Sequence, residues 1–184
     1  MTRIQVSLKD VTCYDTEDVT GADEFYLTGA VSNGIETSPV LTVPVSINDK
    51  ETKPFQQGGG LVFDKDLSEN SDLKIALIAF DEDAEKDWTK YGDFVTKIGS
   101  SVSQGLKTIP RPETAIAGAI IPYVISGVGI IMKLDKDDQL GQYTYNVNVG
   151  ALANGENRQI WTFQGGSGWY SSWKYQVRYT ITKG

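Results

Sequence analysis

The hydrophobic positions of this chain change period twice along its length. Ile4, Val6 and Leu8 alternate with polar residues, and Val11 and Cys13 extend the series, which predicts a first strand. Phe25, Leu27, Ala30 and Val31 predict a second, starting at Glu24, and Gly34 to Pro39 reads as a turn. Val40 to Ile47 reads as a third strand, with Pro44 marking an edge position or a bulge. Leu61 to Phe63 is a short strand after a flexible crossing at 56–60, and Asp64 to Asp72 is polar and turn-rich. Leu73 to Phe80 is almost continuously apolar after Lys74, the pattern of a central strand.

The period then becomes helical. Trp88, Tyr91, Phe94, Val95, Ile98, Val102 and Leu106 recur every three or four residues, predicting an amphipathic helix from about Lys86 to Lys107. Thr114 to Met132 carries no charge, and Gly118, Pro122, Gly127 and Gly129 interrupt it. Its length just reaches that of a membrane span. The interruptions favour a helix from Thr114 to about Ile125, with Pro122 in its middle or at a new first turn, and a strand from Gly127 to Leu134.

Period two returns afterwards. Tyr143, Tyr145, Val147 and Val149 form one alternating strand, and Gln159 to Phe163 is a short one. Gly165 to Gly168 is a turn, and Trp173, Tyr175, Val177, Tyr179 and Ile181 make the clearest alternation in the chain. Short strands separated by turn signals predict a mainly β fold, an eight-stranded antiparallel β-sandwich. The whole chain, 1–184, reads as one domain with an inserted helical subregion at about 84–133.

Composition narrows the chemistry. Seventeen basic and 24 acidic residues leave a formal net charge of -7, which argues against a nonspecific grip on nucleic acid. The absence of histidine removes Ser-His-Asp and Cys-His catalysis and any histidine zinc site. The single cysteine, Cys13, excludes an intrachain disulfide and reads as a small buried hydrophobe. The N-terminal residues alternate and lack an apolar signal core, so the cytoplasm is the default location, with a peripheral membrane position or leaderless export left open.

Acidic residues gather where strands should end: Asp15, Asp18 and Asp23; Asp81 and Asp83; Asp135, Asp137 and Asp138. Brought together by the fold, they would make one acidic pocket whose mutual repulsion a cation relieves. Calcium takes six to eight oxygen ligands in irregular loops, and no EF-hand pattern is present. Asp18, Asp23, Asp81, Asp83 and Asp137 are the first choice of ligands, with Asp15, Asp135 and Asp138 as alternates.

These loops carry a resemblance to the C2 domain, a calcium-binding β-sandwich family. Asp18 or Asp15, then Gly21, then Asp23 before Glu24-Phe25-Tyr26-Leu27 resembles the family's first calcium loop, without its usual proline. Leu77 to Phe80 running into Asp81-Glu82-Asp83 resembles the first half of the next calcium loop. Asp137-Asp138-Gln139-Leu140-Gly141 resembles its second half, about fifty residues later, and Phe55 to Phe63 resembles the approach to a middle strand. The resemblance covers 1–83 and 134–184 and implies a helical insertion within a calcium loop.

The resemblance implies a calcium-dependent binding module, not an enzyme, which docks on anionic phospholipid or on a protein partner through its acidic-loop end. Trp88, Tyr91, Phe94, Ile120, Ile121 and Tyr123 of the insertion are then candidate membrane or partner contacts. A calcium-stabilised carbohydrate-binding sandwich is the alternative, with Trp169, Tyr170 and Trp173 as glycan contacts. A membrane-active, toxin-like protein is a further one. The oligomeric state is not legible.

Overall fold

The computed structural model describes residues 1–16, 21–82, 88–131, 138–166 and 172–184, with side chains of 128–131 excepted. Its strands are β1 (Thr2–Asp15), β2 (Asp23–Ser32), β3 (Thr37–Leu41), β4 (Val45–Ile47), β5 (Thr52–Pro54), β6 (Gly60–Leu67), β7 (Asp72–Asp81), β8 (Asp138–Asn148), β9 (Gly155–Gly166) and β10 (Ser172–Lys183). Two helices, α1 (Tyr91–Leu106) and α2 (Ile121–Ile131), lie between β7 and β8.

All described strand pairs are antiparallel, and they form two sheets. In sheet A, β10 lies between β1 and β9, and β5 and β6 share the other side of β1. In sheet B, β7 lies between β2 and β8, and β3 and β4 share the other side of β2. Among the described residues, ten strand segments therefore occupy eight lanes, four per sheet, because each sheet has one edge broken in two.

The broken edges meet. Val43 N donates to Gln57 O at 2.9 Å, joining the gap between β3 and β4 to the excursion between β5 and β6. At the first gap Thr42 replaces the missing ladder: its N–H reaches Leu27 O, and its hydroxyl accepts from Leu27 N at 2.8 Å. Pro44 thus sits in a strand break, where no ladder donor is needed. The polar stretch from Asp64 to Leu67, expected to be turn, extends β6; its charges lie along a sheet edge, where Arg3 and Asp64 form a bidentate pair. Thr37 to Pro39, also expected to be turn, already pairs with β2.

The main core lies between the sheets. It takes Ile4, Val6, Leu8 and Val11 from β1, Phe25, Leu27 and Val31 from β2, Leu73, Ile75 and Leu77 from β7, and Tyr175, Val177, Tyr179 and Ile181 from β10. On the side where β8 and β9 face each other, a run of rings fills the gap: Tyr143 on Trp161 at 5.2 Å, Trp161 on Phe163 at 4.2 Å, and Phe163 on Tyr175 at 5.8 Å.

A second core lies on the opposite face of sheet B. Tyr26, Ala30, Ala76, Ile78 and Phe80 pack against Phe94, Ile98, Val102 and Leu106 of α1 and against Ile120, Ile121 and Val124. Sheet B is therefore a middle layer with apolar contacts on both faces. This is why 73–80 reads as a continuous apolar run while β1 alternates. Gly127 to Ile131, expected as strand, is the second half of α2, and Pro122 sits in its first turn, where no ladder donor is lost. The interrupting glycines suggested a return as strand, but the helix begun at Ile121 continues through Gly127, where α1 approaches closely.

Small residues let the helices approach. A Cβ at Gly105 would fall 2.1 Å from the Tyr123 ring, and one at Gly127 would fall 3.0 Å from Ile98 Cα. Ser101 Oγ donates to Tyr123 O at 2.8 Å across the same crossing.

Candidate cation site at the loop end

Strand pairing brings the acidic strand ends to one end of the sandwich. Asp23 opens β2 opposite Ile47, Asp81 closes β7 opposite Phe25, and Asp138 opens β8 opposite Asp81. Asp15 closes β1 opposite Lys174. Alternation along β2 and β7 puts Asp23 and Asp81 in phase with Phe25, Leu27, Leu77 and Ala79, on the face toward sheet A. Asp23 is 0% and Asp81 4% exposed, whereas Asp15 is half-buried and Asp138 exposed. Asp18, Asp83, Asp135 and Asp137 lie outside the described residues.

Each described carboxylate near the interior has a protein donor. Tyr175 Oη donates to Asp23 Oδ2, which ties sheet A to sheet B. The N–H of Glu24 donates to Asp81 Oδ1 at 2.7 Å. Ser172 Oγ donates to Asp15 Oδ2 at 2.5 Å, joining the start of β10 to the end of β1. Beside them, the N–H and hydroxyl of Thr16 both donate to Asp49 Oδ1, at 2.8 and 3.1 Å. Sequence reading missed Tyr175, Ser172 and Asp49. The only signal for Tyr175 was its inward phase on β10 beside a strand end, a position where a phenol needs a partner.

Cys13 lies opposite Tyr175 across the β1–β10 ladder. Burial pushes its thiol up to about 11, against a hydrogen bond with Tyr175 that lowers it, and Asp23 and Asp49 add to the rise. Burial, then the hydrogen bond to Asp23, drives the Tyr175 phenol far above its ordinary value. Both groups are uncharged at neutral pH.

Among the described residues, no three His, Cys, Asp or Glu side chains come together closely enough to hold a metal. The described candidates are carboxylates, the oxygen ligands that a hard cation takes, and two of them are almost out of solvent and accept from protein donors.

The candidate contacts of the insertion are placed differently from expectation. Phe94, Ile120 and Ile121 are buried against sheet B, at 8%, 0% and 7% exposure. Trp88 packs on Tyr26 and Phe94, and its Nε1 donates to Glu82 Oε2 at 2.6 Å. Tyr91 Oη donates to Leu41 O at 2.5 Å, and the Tyr123 ring lies over Gly105. Packing on sheet B and between the helices occupies these side chains. No helix among the described residues is long and apolar enough to cross a membrane. Of the glycan candidates, Trp169 and Tyr170 lie outside the described residues. Trp173 is half-buried, with Nε1 donating to Leu140 O at 2.9 Å.

No family model and no curated protein sequence matches the chain. Solved structures are similar in fold. One is a C2 domain with 12% identity and a TM-score of 0.44, with 100% of this chain and 98% of that one covered. Another is a C2 domain of plant extended synaptotagmin 1, with 5% identity, a TM-score of 0.40 and coverage of 99% and 93%. A third is human GIVD cytosolic phospholipase A2, with 8% identity and a TM-score of 0.40; 99% of this chain is covered, but only 17% of the phospholipase. These are weak likenesses of architecture and say nothing about individual residues.

Proposed function

We propose that this chain is a calcium-dependent binding module that docks on anionic phospholipid through the acidic end of its sandwich. The observation that carries the reading is the placement of Asp23 and Asp81. Two almost fully buried carboxylates sit on neighbouring strands, in phase with the same interior, at the end where Asp15 and Asp138 also lie. Each of the two accepts a hydrogen bond from the protein, and a divalent cation adds to that compensation where several carboxylates gather. Asp18, Asp83, Asp135 and Asp137 complete the proposed ligand set, with Asp15 and Asp138 at its rim.

Calcium bound there supplies positive charge and open coordination positions for phosphate oxygens. The chain itself has a net charge of -7, so contact with an anionic surface needs that cation. Because the insertion's apolar side chains pack on sheet B, the loops at the acidic end make the contact, and the helices support them.

Calorimetric titration with calcium and sedimentation with phosphatidylserine vesicles test this reading. Saturable calcium binding, lost in Asp81→Asn, and vesicle binding only with calcium are expected. No heat at millimolar calcium overturns the metal site. Calcium binding without vesicle binding overturns lipid docking and leaves a protein partner as the alternative.

A further inference from the structure

We propose that β9 is a self-pairing edge: two copies of this chain join antiparallel along it, with Ile160 beside Ile160 of the partner subunit. The two flanks of the sandwich are built differently. On one, the outer lanes are broken into β3, β4, β5 and β6 and tied to each other where Val43 N donates to Gln57 O. They carry Pro39, Pro44 and Pro54, and charges such as Lys65 and Asp66. Breaks, prolines and charges are what keep an edge from pairing with another chain. On the other flank, β8 and β9 are the outer lanes among the described residues. β9 runs for 12 residues in unbroken register on β10, with no proline. The chain is 22% charged, yet Gln139 to Asn148 of β8 and Gln159 to Gly166 of β9 carry no charge.

The backbone groups on the free side of β9 meet no strand among the described residues, so a further strand would complete their ladder. Tyr143, Tyr145 and Phe163, which fill the gap between β8 and β9, stay half-buried. On the outer face Ile160 is 60% exposed. Open backbone and uncovered apolar surface therefore coincide on one flank.

The placement of charge selects a second copy as the occupant. Glu156 and Arg158 pair with each other at 2.9 Å, and both lie in the first half of β9. Antiparallel self-pairing sends the two first halves to opposite ends, so like charges do not meet even though each chain carries -7. Alternation puts Glu156, Arg158, Ile160, Thr162 and Gln164 on the outer face. With the two-fold axis at Ile160, Arg158 falls opposite Thr162 of the partner subunit and Glu156 opposite Gln164 of the partner subunit. An axis at Arg158 would instead set two guanidinium groups face to face. The chosen register covers both Ile160 side chains and joins the two copies of sheet A into one sheet across the axis.

Sedimentation equilibrium of the full chain tests the proposal. Wild type is expected at twice the chain mass and Ile160→Lys at the single mass, since lysine is an edge guard. The site is exposed, so circular dichroism of Ile160→Lys should match the wild type. Opposed residues of an antiparallel pair have Cα atoms about 4.5–5.5 Å apart, within disulfide reach. Ile160→Cys should therefore form a covalent dimer on mild oxidation. Leu61→Cys, 55% exposed on β6 of the guarded flank, should not, and native Cys13 is buried and does not interfere. Wild type at the single mass at every concentration overturns the proposal and leaves an extended segment of another protein as the occupant of the edge. A dimer that survives Ile160→Lys, or an Ile160→Cys variant that cross-links no better than Leu61→Cys, places the contact elsewhere and overturns it too.

Discussion

Lys74 Nζ donates to the carbonyl oxygen of Glu113 at 2.7 Å, and the two residues are 39 positions apart. Lys74 lies on β7 with 0% exposure, on the face covered by the helical layer, and its ammonium also reaches Asn33 O at 3.4 Å. A charge under the helices thus fastens the segment between α1 and α2 to the end of sheet B opposite the acidic one.

Lys74→Met keeps the aliphatic stem and strands two carbonyls, so urea unfolding should show a loss of about 1–3 kcal/mol. Burial lowers the Lys74 pKa below its value in the unfolded chain. Between the folded and unfolded values the unfolded state binds the extra proton, so this group's contribution to stability rises with pH. The gap between wild type and Lys74→Met should therefore widen toward alkaline pH, as followed by melting temperature.

Gly34 grips the same segment from the β2–β3 turn. Its φ is +91°, and a Cβ there would fall 2.4 Å from Pro112 O and 2.5 Å from Glu113 Cα. Gly34→Ala should cost about 1–3 kcal/mol through strain and displacement of that segment. With Lys74→Met the losses should be less than additive, because both substitutions release one element; a double-mutant cycle in urea measures this.

Cys13 and alkaline pH make a separate case. Its thiol is held at about 11 in the fold against 9.0 ordinarily. The folded state keeps a proton that the unfolded state loses, so stability falls as pH rises from about 9 to about 11. Cys13→Ala should flatten that part of the melting profile. The native thiol should resist a maleimide at neutral pH and react once the chain is unfolded in guanidinium.

Thr28 sits on β2 with 0% exposure, and its hydroxyl has no hydrogen-bond partner among the described residues. Thr28→Val keeps the shape and removes the stranded group, so it should stabilise the fold by about 1 kcal/mol in urea unfolding. A loss of stability instead would mean that the hydroxyl is satisfied.

Much of this architecture was written in the periodicity. The alternation at Ile4 to Cys13 and at Trp173 to Ile181 marked β1 and β10, and the unbroken run at Leu73 to Phe80 marked a strand covered on both faces. The signal failed where local preference and final packing disagree. Thr52 to Pro54 is too short to show a period, and Asp64 to Leu67 looks like a turn because edge strands carry charge. Gly127 to Ile131, where two glycines interrupt the apolar run, is helical, continuing α2 from Ile121. The acidic strand ends could be read because aspartates cluster in sequence. Tyr175 could not, because its partner Asp23 is 152 positions away.

The pairing of β1 with β10 has a consequence for how the molecule comes into being. Ile4 lies opposite Lys183 and Asp15 opposite Lys174, so the two central lanes of sheet A come from opposite ends of the sequence. As the polypeptide emerges from the ribosome, β1 must wait with one flank unmatched until β10 has been made. Such long-range closure is slow. Joining Gly184 to Met1 through a short peptide and opening the chain at another turn would make β10 and β1 successive strands. That circular rearrangement should refold faster than the natural order while keeping the same sheets.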